Sequence, residues 1–384
     1  MACEPYILIC AGEDSGDSVG EPLVKTLVSK NFTVKGSGGR RMQAAGMLPL
    51  VDFETLPVSG FGDVLPKYFK LRQSFNVLKL ALESPECLGL IAIDYPGFNM
   101  KLVARVGELQ KPALYVAPPQ VWAWKRKRAQ VLAKNPYVKL AVFFDFEESV
   151  YREAGCNVER VQHPFGCNVI ANPVRAKRYL ATCCLSRVIH FVETQSMHAA
   201  NHILLLPGSR KSQALRNLPV FLKAVKDHQN VVARNIVVVA ARQELVSAFE
   251  KFKVPVIIAP QSATERMALY QSAEYALTAP GTATLELALS GTPFTVCTKP
   301  DLLTYCLGRL FIKTKFFALP NIILDRLVFS ERIVPPWSGV KTLSLAKAKK
   351  ENVVKELSEK LAVGKTFDQL ALEFLGQFVE RKPE

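Results

Sequence analysis

"YILICAGEDSGDSVGEPL", residues 6–23, joins an apolar run that stops at Gly12 to a polar loop and the start of a helical pattern. The same order of strand, loop and helix recurs along the chain, which is typical of parallel sheets covered by helices on both faces. The predicted strands form two groups, at residues 6–11, 32–35, 88–94, 113–117, 138–144 and 158–161, then at 202–206, 235–240, 254–259, 275–278 and 293–297. We therefore predict an α/β protein with two doubly wound sheets.

The chain length fits this division. A chain of 384 residues with 49% hydrophobic content is too long for one ordinary core and is expected to form two domains. Two Rossmann-like domains facing across a cleft would bring the carboxyl ends of both strand sets together, where ligands bind in such sheets. The predicted boundaries are an N-terminal domain at 1–170, an irregular connection at 171–201, a C-terminal domain at 202–345, and helices at 346–384 that pack back on the N-terminal domain.

The charge balance points to an anionic partner. The formal net charge of +15 predicts attraction to phosphate, nucleic acid or an acidic membrane surface, without choosing among them. Nine cysteines with no CxxC pair favour a reducing compartment. No signal peptide and no run of about 18 apolar residues is present, so we expect a cytoplasmic protein that does not span the membrane.

The opening loop carries three carboxylates, on Glu13, Asp14 and Asp17. They disfavour a phosphate cradle because they would repel the ligand, and the glycine spacing does not match a dinucleotide fingerprint or a P-loop. We expect Glu13 to accept hydrogen bonds from sugar hydroxyls or to orient another group. Asp14 and Ser15 are expected to cap the following helix.

A second acid follows the strand in "LIAIDYPGFNMKL", residues 90–102. Asp94 is the first polar residue after a run that should be buried, and a carboxylate there is costly to desolvate. It could remove a proton from an attacking hydroxyl. The alternative is an acid that caps the next helix near Asn99, although Asn99 could supply that cap itself.

Two tryptophans are followed by four consecutive cations in "YVAPPQVWAWKRKR", residues 115–128. Trp122 and Arg126 could belong to a nucleic-acid patch, to a site for a phosphorylated sugar, or to a solvated basic face above packed tryptophans. His163 is expected to lie at the cleft or the hinge.

The second half predicts an anion site in two pieces. In "ILLLPGSRKSQ", residues 203–213, Arg210 follows a strand and could hold a phosphate. In "LTAPGTATLELALSGTP", residues 277–293, amides after Gly281 and the hydroxyls of Thr282 and Thr284 could bind a diphosphate at a helix N-terminus. Glu286 could accept bonds from ribose hydroxyls. The pair of motifs indicates a nucleoside diphosphate, and the lack of metal-binding motifs predicts activity with no metal and no cofactor.

These motifs together resemble the lipid-A-disaccharide synthase family. The resemblance rests on AGEDSGD at 11–17, RMQAAG at 41–46, IDYPGFN at 93–99, PPQVWAWKRKR at 118–128, HP at 163–164, LLPGSR at 205–210, GTATLE at 281–286 and LPNI at 319–322. It implies a GT-B glycosyltransferase fold and transfer from UDP-2,3-diacylglucosamine to 2,3-diacylglucosamine 1-phosphate, with inversion, in lipid A (lipopolysaccharide) biosynthesis. The N-terminal domain would then bind the acceptor and the C-terminal domain the UDP-sugar.

The resemblance also implies roles for individual residues. Asp94 matches the family's candidate base and Glu13 a required acid. The expected substrate-binding residues are Ser15, Trp122, Arg126, His163, Arg210, Gly281, Thr282, Thr284, Glu286 and Asn321. This chain departs from the family pattern at Gly97, Gly166, Cys167, Gln213, Pro280 and residues 332–339. These departures leave a weakly active or inactive copy as an alternative. A UDP-sugar epimerase would share the two-domain cleft and the UDP site, and the charge of +15 with the tryptophan–basic cluster would also suit a non-catalytic nucleic-acid binder. The transferase interpretation predicts no nucleic-acid partner.

Residues 57–82 bear on the acyl chains. Val64, Leu65, Tyr68 and Phe69 accompany basic residues in a pattern suited to an anionic bilayer and to lipid tails. An ordinary helix that faces the core is the alternative. With diacylated substrates we expect peripheral contact with the cytoplasmic face of the inner membrane, and a homodimer is an alternative to a monomer.

Overall fold

The computed structural model describes residues 4–56, 60–123, 125–166, 202–226, 236–311, 314–339 and 351–379, with the backbone alone for 60–68, 311, 351 and 379. The chain divides into two compact units. The first comprises Met1–Cys167 and Leu361–Glu384, and the second comprises Asn168–Lys360. The predicted connection at 171–201 lies outside the described residues.

Each unit is built on one parallel sheet. The first sheet has the strand order β3-β2-β1-β4-β5-β6-β7 and the second has the order β10-β9-β8-β11-β12-β13. The strands are β1 Tyr6–Cys10, β2 Thr33–Ser37, β3 Leu48–Pro49, β4 Cys87–Ile93, β5 Ala113–Val116, β6 Val138–Val142, β7 Val158–Arg160, β8 Ile203–Leu206, β9 Ile236–Ala240, β10 Val256–Ile258, β11 Tyr275–Thr278, β12 Phe294–Thr298 and β13 Ser330–Ile333. The predicted α/β class with two doubly wound sheets is confirmed.

Helices connect the strands. They are α1 Asp14–Ser29, α2 Arg40–Ala44, α3 Gly60–Glu83, α4 Pro96–Leu109, α5 Lys127–Ala133, α6 Asp145–Glu153, α7 Lys211–Lys226, α8 Gln243–Phe249, α9 Ala263–Ser272, α10 Thr282–Leu289, α11 Leu302–Phe311, α12 Leu319–Leu324, α13 Glu351–Leu361 and α14 Phe367–Val379, with short 3-10 turns at Phe53–Thr55 and Glu250–Phe252. Parallel strands require such crossovers, and helices bury apolar stripes on both sheet faces.

The central strands form the core of the first unit. Every residue of β1 is buried, and so are the last five of β4, because these strands are covered on both faces. β2 approaches β1 closely at Gly36, where φ is +151° and an added Cβ would lie 1.8 Å from the carbonyl oxygen of Ile9. Only glycine fits this register.

The C-terminal helices divide between the units. Residues up to Lys360, which include nearly all of α13, group with the second unit, and Leu361–Glu384 group with the first. The segment before α14 extends the edge of the first sheet, because the amide of Lys365 donates to Arg160 O and that of Gln162 to Lys365 O. Lys139 and Lys365 then pair with Glu159 and Glu373 around α14.

Candidate active site

Asp94 lies directly after β4 on a constrained backbone. Asp94 and Tyr95 have φ of +46° and +50°, a left-handed conformation that costs free energy in residues other than glycine and that clusters at functional sites. The carbonyl oxygen of Asp94 accepts hydrogen bonds from Asn99 Nδ2 at 2.8 Å and Tyr115 Oη at 3.0 Å. The surrounding polar groups therefore fix the direction in which the Asp94 side chain leaves the strand.

Asn99 lies inside α4 and does not supply its cap. The N-cap residue of α4 is Tyr95, which makes no capping hydrogen bond through its side chain. Asn99 is fully buried, and its Nδ2 also donates to the carbonyl oxygens of Cys10 and Ile93, both at 3.1 Å. One amide group thus ties together the ends of β1 and β4.

Glu13 lies at the end of the neighbouring strand. It is the N-cap residue of α1 and makes no capping hydrogen bond through its side chain, so the predicted capping by Asp14 or Ser15 is wrong. Ser15 is an exposed residue of the first turn. Burial, with a smaller contribution from the nearby charge of Glu13, raises the pKa of Tyr95 to about 12. A side chain at Gly12 would overlap the Tyr95 ring, so glycine allows the two strand ends to approach.

Asp17, in the same loop-helix segment, is buried and holds a second helix in place. Its carboxylate oxygens accept the amide hydrogens of Arg41 and Met42, both at 3.1 Å, at the start of α2. Burial raises the pKa of Asp17, against the opposing effect of these backbone hydrogen bonds. Of the three acids in the opening loop, Asp17 is therefore structural.

A buried acid that the motifs did not reveal lies beside the tryptophan loop. Glu147, in the first turn of α6, accepts hydrogen bonds from Trp122 Nε1 and from the amide of Phe143, both at 3.3 Å. Burial raises the pKa of Glu147 to about 7, hydrogen bonds from Phe143 and Trp122 oppose the shift, and the charge of Asp94 adds to it. The only sequence signal was an acid three residues after the strand-helix junction.

The acids of this unit share one edge of the sheet. Glu13 follows β1, Asp94 follows β4 and Glu147 follows β6, and the carboxyl ends of parallel strands meet at the same edge. Trp122 also packs edge-on against Phe146, with ring centroids 5.1 Å apart. Arg126 is exposed at the start of α5, and Trp124 lies outside the described residues.

His163 is enclosed by aromatic rings. Phe143, Phe144 and Phe165 have ring centroids 4.8, 5.9 and 5.0 Å from it, and Nδ1 accepts the amide hydrogen of Phe165 at 3.2 Å. Burial lowers the pKa of His163 to about 3. The ring is therefore neutral at physiological pH, with its proton on Nε2, and carries no charge for a phosphate group.

In the second unit, the predicted diphosphate residues follow two adjacent strands. Arg210 is exposed after β8, and Gly281 with φ of +150° precedes α10 after β11. Nothing lies within 4 Å of a Cβ added at Gly281, and Thr282 is exposed. The buried hydroxyl of Thr284 donates to Gly281 O at 2.7 Å. The exposed loop and helix terminus can receive an anion.

Glu286 is held by protein groups. Its Oε1 lies 3.0 Å from Arg266 Nε and 2.9 Å from Nη2, and its Oε2 accepts the hydroxyl hydrogen of Tyr270 at 3.2 Å. The second guanidinium terminus, Nη1, donates to the carbonyl oxygens of Pro260 and Gln261. Arg266 thus links Glu286 to the loop after β10, and most of the hydrogen-bonding capacity of Glu286 is used within the protein.

Asn321 is completely buried and fully hydrogen-bonded. Its Nδ2 donates to Phe329 O and Glu331 Oε1, both at 2.7 Å, and its Oδ1 accepts the amide hydrogens of Val328 and Phe329, both at 2.9 Å. Glu331 also accepts the amide hydrogens of Phe317 and Ala318 before α12. This network fixes β13 against α12, and the Asn321 amide has no capacity left for a ligand.

The predicted membrane segment is described in part. Phe69 is 77% exposed on α3, and the side chains of Val64, Leu65 and Tyr68 lie outside the described residues. Among the described residues, no helix is long and apolar enough to cross a bilayer. The same described ranges contain no group of three or more His, Cys, Asp or Glu residues that could hold a metal ion.

Comparison with solved structures shows the fold. Arabidopsis thaliana UGT89C1 complexed with UDP aligns with a TM-score of 0.54 at 13% identity, over 97% of this chain and 100% of that one. Sucrose-phosphate synthase from Thermosynechococcus elongatus aligns with a TM-score of 0.51 at 12% identity, over 99% of each chain. At this identity the likeness concerns architecture alone, which is that of GT-B glycosyltransferases.

Comparison with protein families and curated relatives is more specific. The family model described as lipid-A-disaccharide synthetase matches residues 7–373. Lipid-A-disaccharide synthase 1 of Legionella pneumophila (strain Paris) is 31% identical over 334 residues, which is 85% of this chain and 83% of that protein. The synthase of Myxococcus xanthus is 31% identical over 338 residues, 86% of this chain and 84% of that protein. The chain therefore belongs to the lipid-A-disaccharide synthase family of glycosyltransferases.

Proposed function

We propose that this protein transfers 2,3-diacylglucosamine from UDP to 2,3-diacylglucosamine 1-phosphate and forms the β-1,6-linked disaccharide 1-phosphate of lipid A biosynthesis. The observation that carries the proposal is the position of Asp94, an acid on a constrained and hydrogen-bonded backbone at the carboxyl edge of the first sheet. In a single displacement, Asp94 takes the proton of the acceptor 6-hydroxyl, whose oxygen attacks the anomeric carbon. The bond from that carbon to UDP breaks, and UDP leaves with the electron pair, which inverts the configuration.

The two units divide the work of binding. We assign the acceptor to the first unit, where Glu13 accepts sugar hydroxyl bonds beside Asp94. We assign UDP to the second unit, where Arg210 and the amides at the start of α10 stabilise the diphosphate as negative charge develops on it. Positive charge from these groups replaces a metal ion in this scheme, so full activity in excess chelator is expected.

Glu286 and Asn321 support the UDP site from inside the protein. Because Arg266 and Tyr270 hold the Glu286 carboxylate, the remaining lone pairs of Glu286 are the ones available to ribose hydroxyls. Asn321 acts through the backbone that it fixes. We further propose peripheral contact with the cytoplasmic face of the inner membrane, because both sugars carry acyl chains, and we propose no nucleic-acid partner.

The test is synthesis of the disaccharide by the purified protein. The wild type, incubated with both diacylated sugars, should give the disaccharide phosphate by mass spectrometry, and UDP-sugar alone should give no isomerised product. Asp94→Asn should fold and bind UDP-sugar normally but lose about 10²–10⁴-fold in turnover, the usual contribution of a general base. Glu153→Gln, the same kind of change at an exposed carboxylate of α6, should be neutral. Turnover of Asp94→Asn close to the wild-type value would remove Asp94 from the mechanism.

A further inference from the structure

Helix α11 turns its apolar side to solvent. Leu302, Cys306 and Leu310 are spaced four residues apart on one stripe, with Leu303 beside it, and all four are exposed. The leucines are between 51% and 72% exposed, and no residue of α11 with a described side chain is buried. A helix that packs on a core has the opposite arrangement, with its apolar stripe inward.

An aromatic side chain extends this face. Trp337, 69% exposed, follows β13 and packs edge-on against Tyr305 of α11, with ring centroids 5.1 Å apart. Lys299, at the end of the adjacent strand β12, donates to Ser338 O at 3.0 Å and so fixes the turn that carries Trp337. Two consecutive strand ends therefore hold a leucine stripe and a tryptophan together on the second unit.

The exposed charges of this part of the second unit include three cations. Arg309 lies on α11, Lys315 follows the helix in the chain, and Arg332 lies on β13, the strand that precedes Trp337. The acid at its start, Asp301, accepts hydrogen bonds from the amide and hydroxyl of Thr304 and lies 3.5 Å from Arg216. Its charge is thus compensated, and the face presents cations and apolar side chains to the same surface. Tryptophan and tyrosine prefer the boundary between water and lipid, where one part of the ring is apolar and the other wet.

We infer that α11 and Trp337 form a membrane-contact face on the second unit, whose occupant is the surface of an anionic bilayer. Ten residues of helix extend about 15 Å, half of the ~30 Å hydrocarbon thickness, so α11 lies in the interface and does not cross it. This face is separate in sequence from the predicted contact at 57–82. The inference rests on the proposed function in one respect, because diacylated substrates are supplied from a membrane.

The test measures binding to vesicles by flotation. Full-length protein is mixed with vesicles of phosphatidylcholine alone or with an equal part of phosphatidylglycerol. The triple variant Leu302→Ser, Leu303→Ser, Leu310→Ser should lose about tenfold or more in partitioning to the anionic vesicles, because three exposed leucines no longer bury apolar area. The matched control Val131→Ser, Leu327→Ser, Leu372→Ser removes three exposed apolar side chains elsewhere and should partition within twofold of wild type. Both variants should keep the wild-type thermal unfolding midpoint.

Two further measurements distinguish a bilayer from a second copy of this chain as the partner of this face. Brominated lipid should quench part of the tryptophan fluorescence of the wild type, and Trp337→Phe should lose that part. Sedimentation should give the same oligomeric state for the wild type and the triple variant. Unchanged vesicle partitioning of the triple variant would overturn the inference, and so would an absence of quenching at Trp337. A change from dimer to monomer with unchanged partitioning would assign the face to a second copy of this chain.

The outcome is independent of the transferase assay. With substrates dispersed in detergent, the triple variant should make disaccharide at the wild-type rate, because α11 contributes none of the residues assigned to chemistry. If the wild type makes no disaccharide under these conditions, the proposed function fails while the vesicle result is unaffected. If the wild type makes disaccharide but the triple variant binds vesicles as well as the wild type does, the membrane-contact inference is refuted and the transferase assignment remains.

Discussion

Glutamine in place of Glu147 should remove a pH-dependent loss of stability. The Glu147 carboxyl is buried, and its pKa is about 7 in the folded protein against an ordinary 4.5. Between these two values the folded protein retains a proton that the unfolded chain has released, so the free energy of unfolding falls as pH rises through the interval. At about 1.4 kcal/mol per pKa unit, the shift costs the wild type about 3 kcal/mol above pH ~7.

Glutamine cannot ionise, but its Nε2 takes the place of one of the two carboxyl oxygens that accept hydrogen bonds from Trp122 Nε1 and the Phe143 amide. The variant should therefore lose about 1 kcal/mol at both pH values for that hydrogen bond, and its stability relative to the wild type should rise by about 3 kcal/mol between pH ~5 and pH ~8. His163 titrates with the opposite sign, because its lowered pKa means that stability is complete above about 6.5 and is lost as pH falls. That contribution is the same in both proteins and cancels in the difference.

The assay is urea unfolding at the two pH values, in a Trp337→Phe background. The two remaining tryptophans, Trp122 and Trp124, then report on the first unit alone, which avoids treating two units as one transition. Glu148→Gln, at the next residue of α6, changes a half-buried carboxylate that pairs with the exposed Arg152 and should show no such pH dependence. If Glu147→Gln differed from the wild type equally at both pH values, the buried carboxyl would not be the titrating group.

Three further substitutions test the buried polar groups. Asn321→Ala leaves four hydrogen-bonding groups without their partner and should lower the free energy of unfolding of the second unit by about 3 kcal/mol or more. Unfolding is followed by the fluorescence of Trp337, the tryptophan of that unit, and a loss below about 1 kcal/mol would contradict the network. Arg266→Met should lower the free energy of unfolding by about 3–5 kcal/mol, because Glu286 stays buried without its cation. The double variant with Glu286→Gln should recover much of this stability, and no recovery would show that the ion pair is not the cause. Asp17→Asn should cost about 1–2 kcal/mol in urea unfolding of the first unit, because one carboxylate oxygen that accepts an amide hydrogen becomes a donor, and an unchanged midpoint would refute this role.

The sheets could be predicted from sequence because most strands are buried on both faces and read as continuous apolar runs. Two edge strands could not. β3 is Leu48–Pro49, both exposed, and β13 is Ser330–Ile333, with no buried residue, so neither has an apolar run. Such strands are held by pairing with a neighbour, and that pairing is set by the tertiary fold.

Some residues of the candidate site stand out from their position in the sequence. Asp94 does so because it is the first polar residue after a buried strand, and its role as the base stays a prediction. Glu147 was not, because its sequence context is that of an ordinary acid in the first turn of a helix, and its burial arises only when the Trp122 loop packs over it. The role of Asn99 could not be predicted for a similar reason, since its side-chain amide donates to strand ends that only folding brings beside it.

The predicted UDP-site residues of the second unit fall into two groups, according to whether their polar atoms already have partners within the protein. Glu286 and Asn321 have the chemistry to bind a ligand, but the folded protein uses most or all of their hydrogen bonds. Arg210, Gly281 and Thr282 are exposed at the ends of adjacent strands, so they can meet a diphosphate directly. Buried polar groups that are fully satisfied rigidify their surroundings. The exposed group should therefore determine affinity for UDP, and changes in the buried group should alter stability before they alter binding.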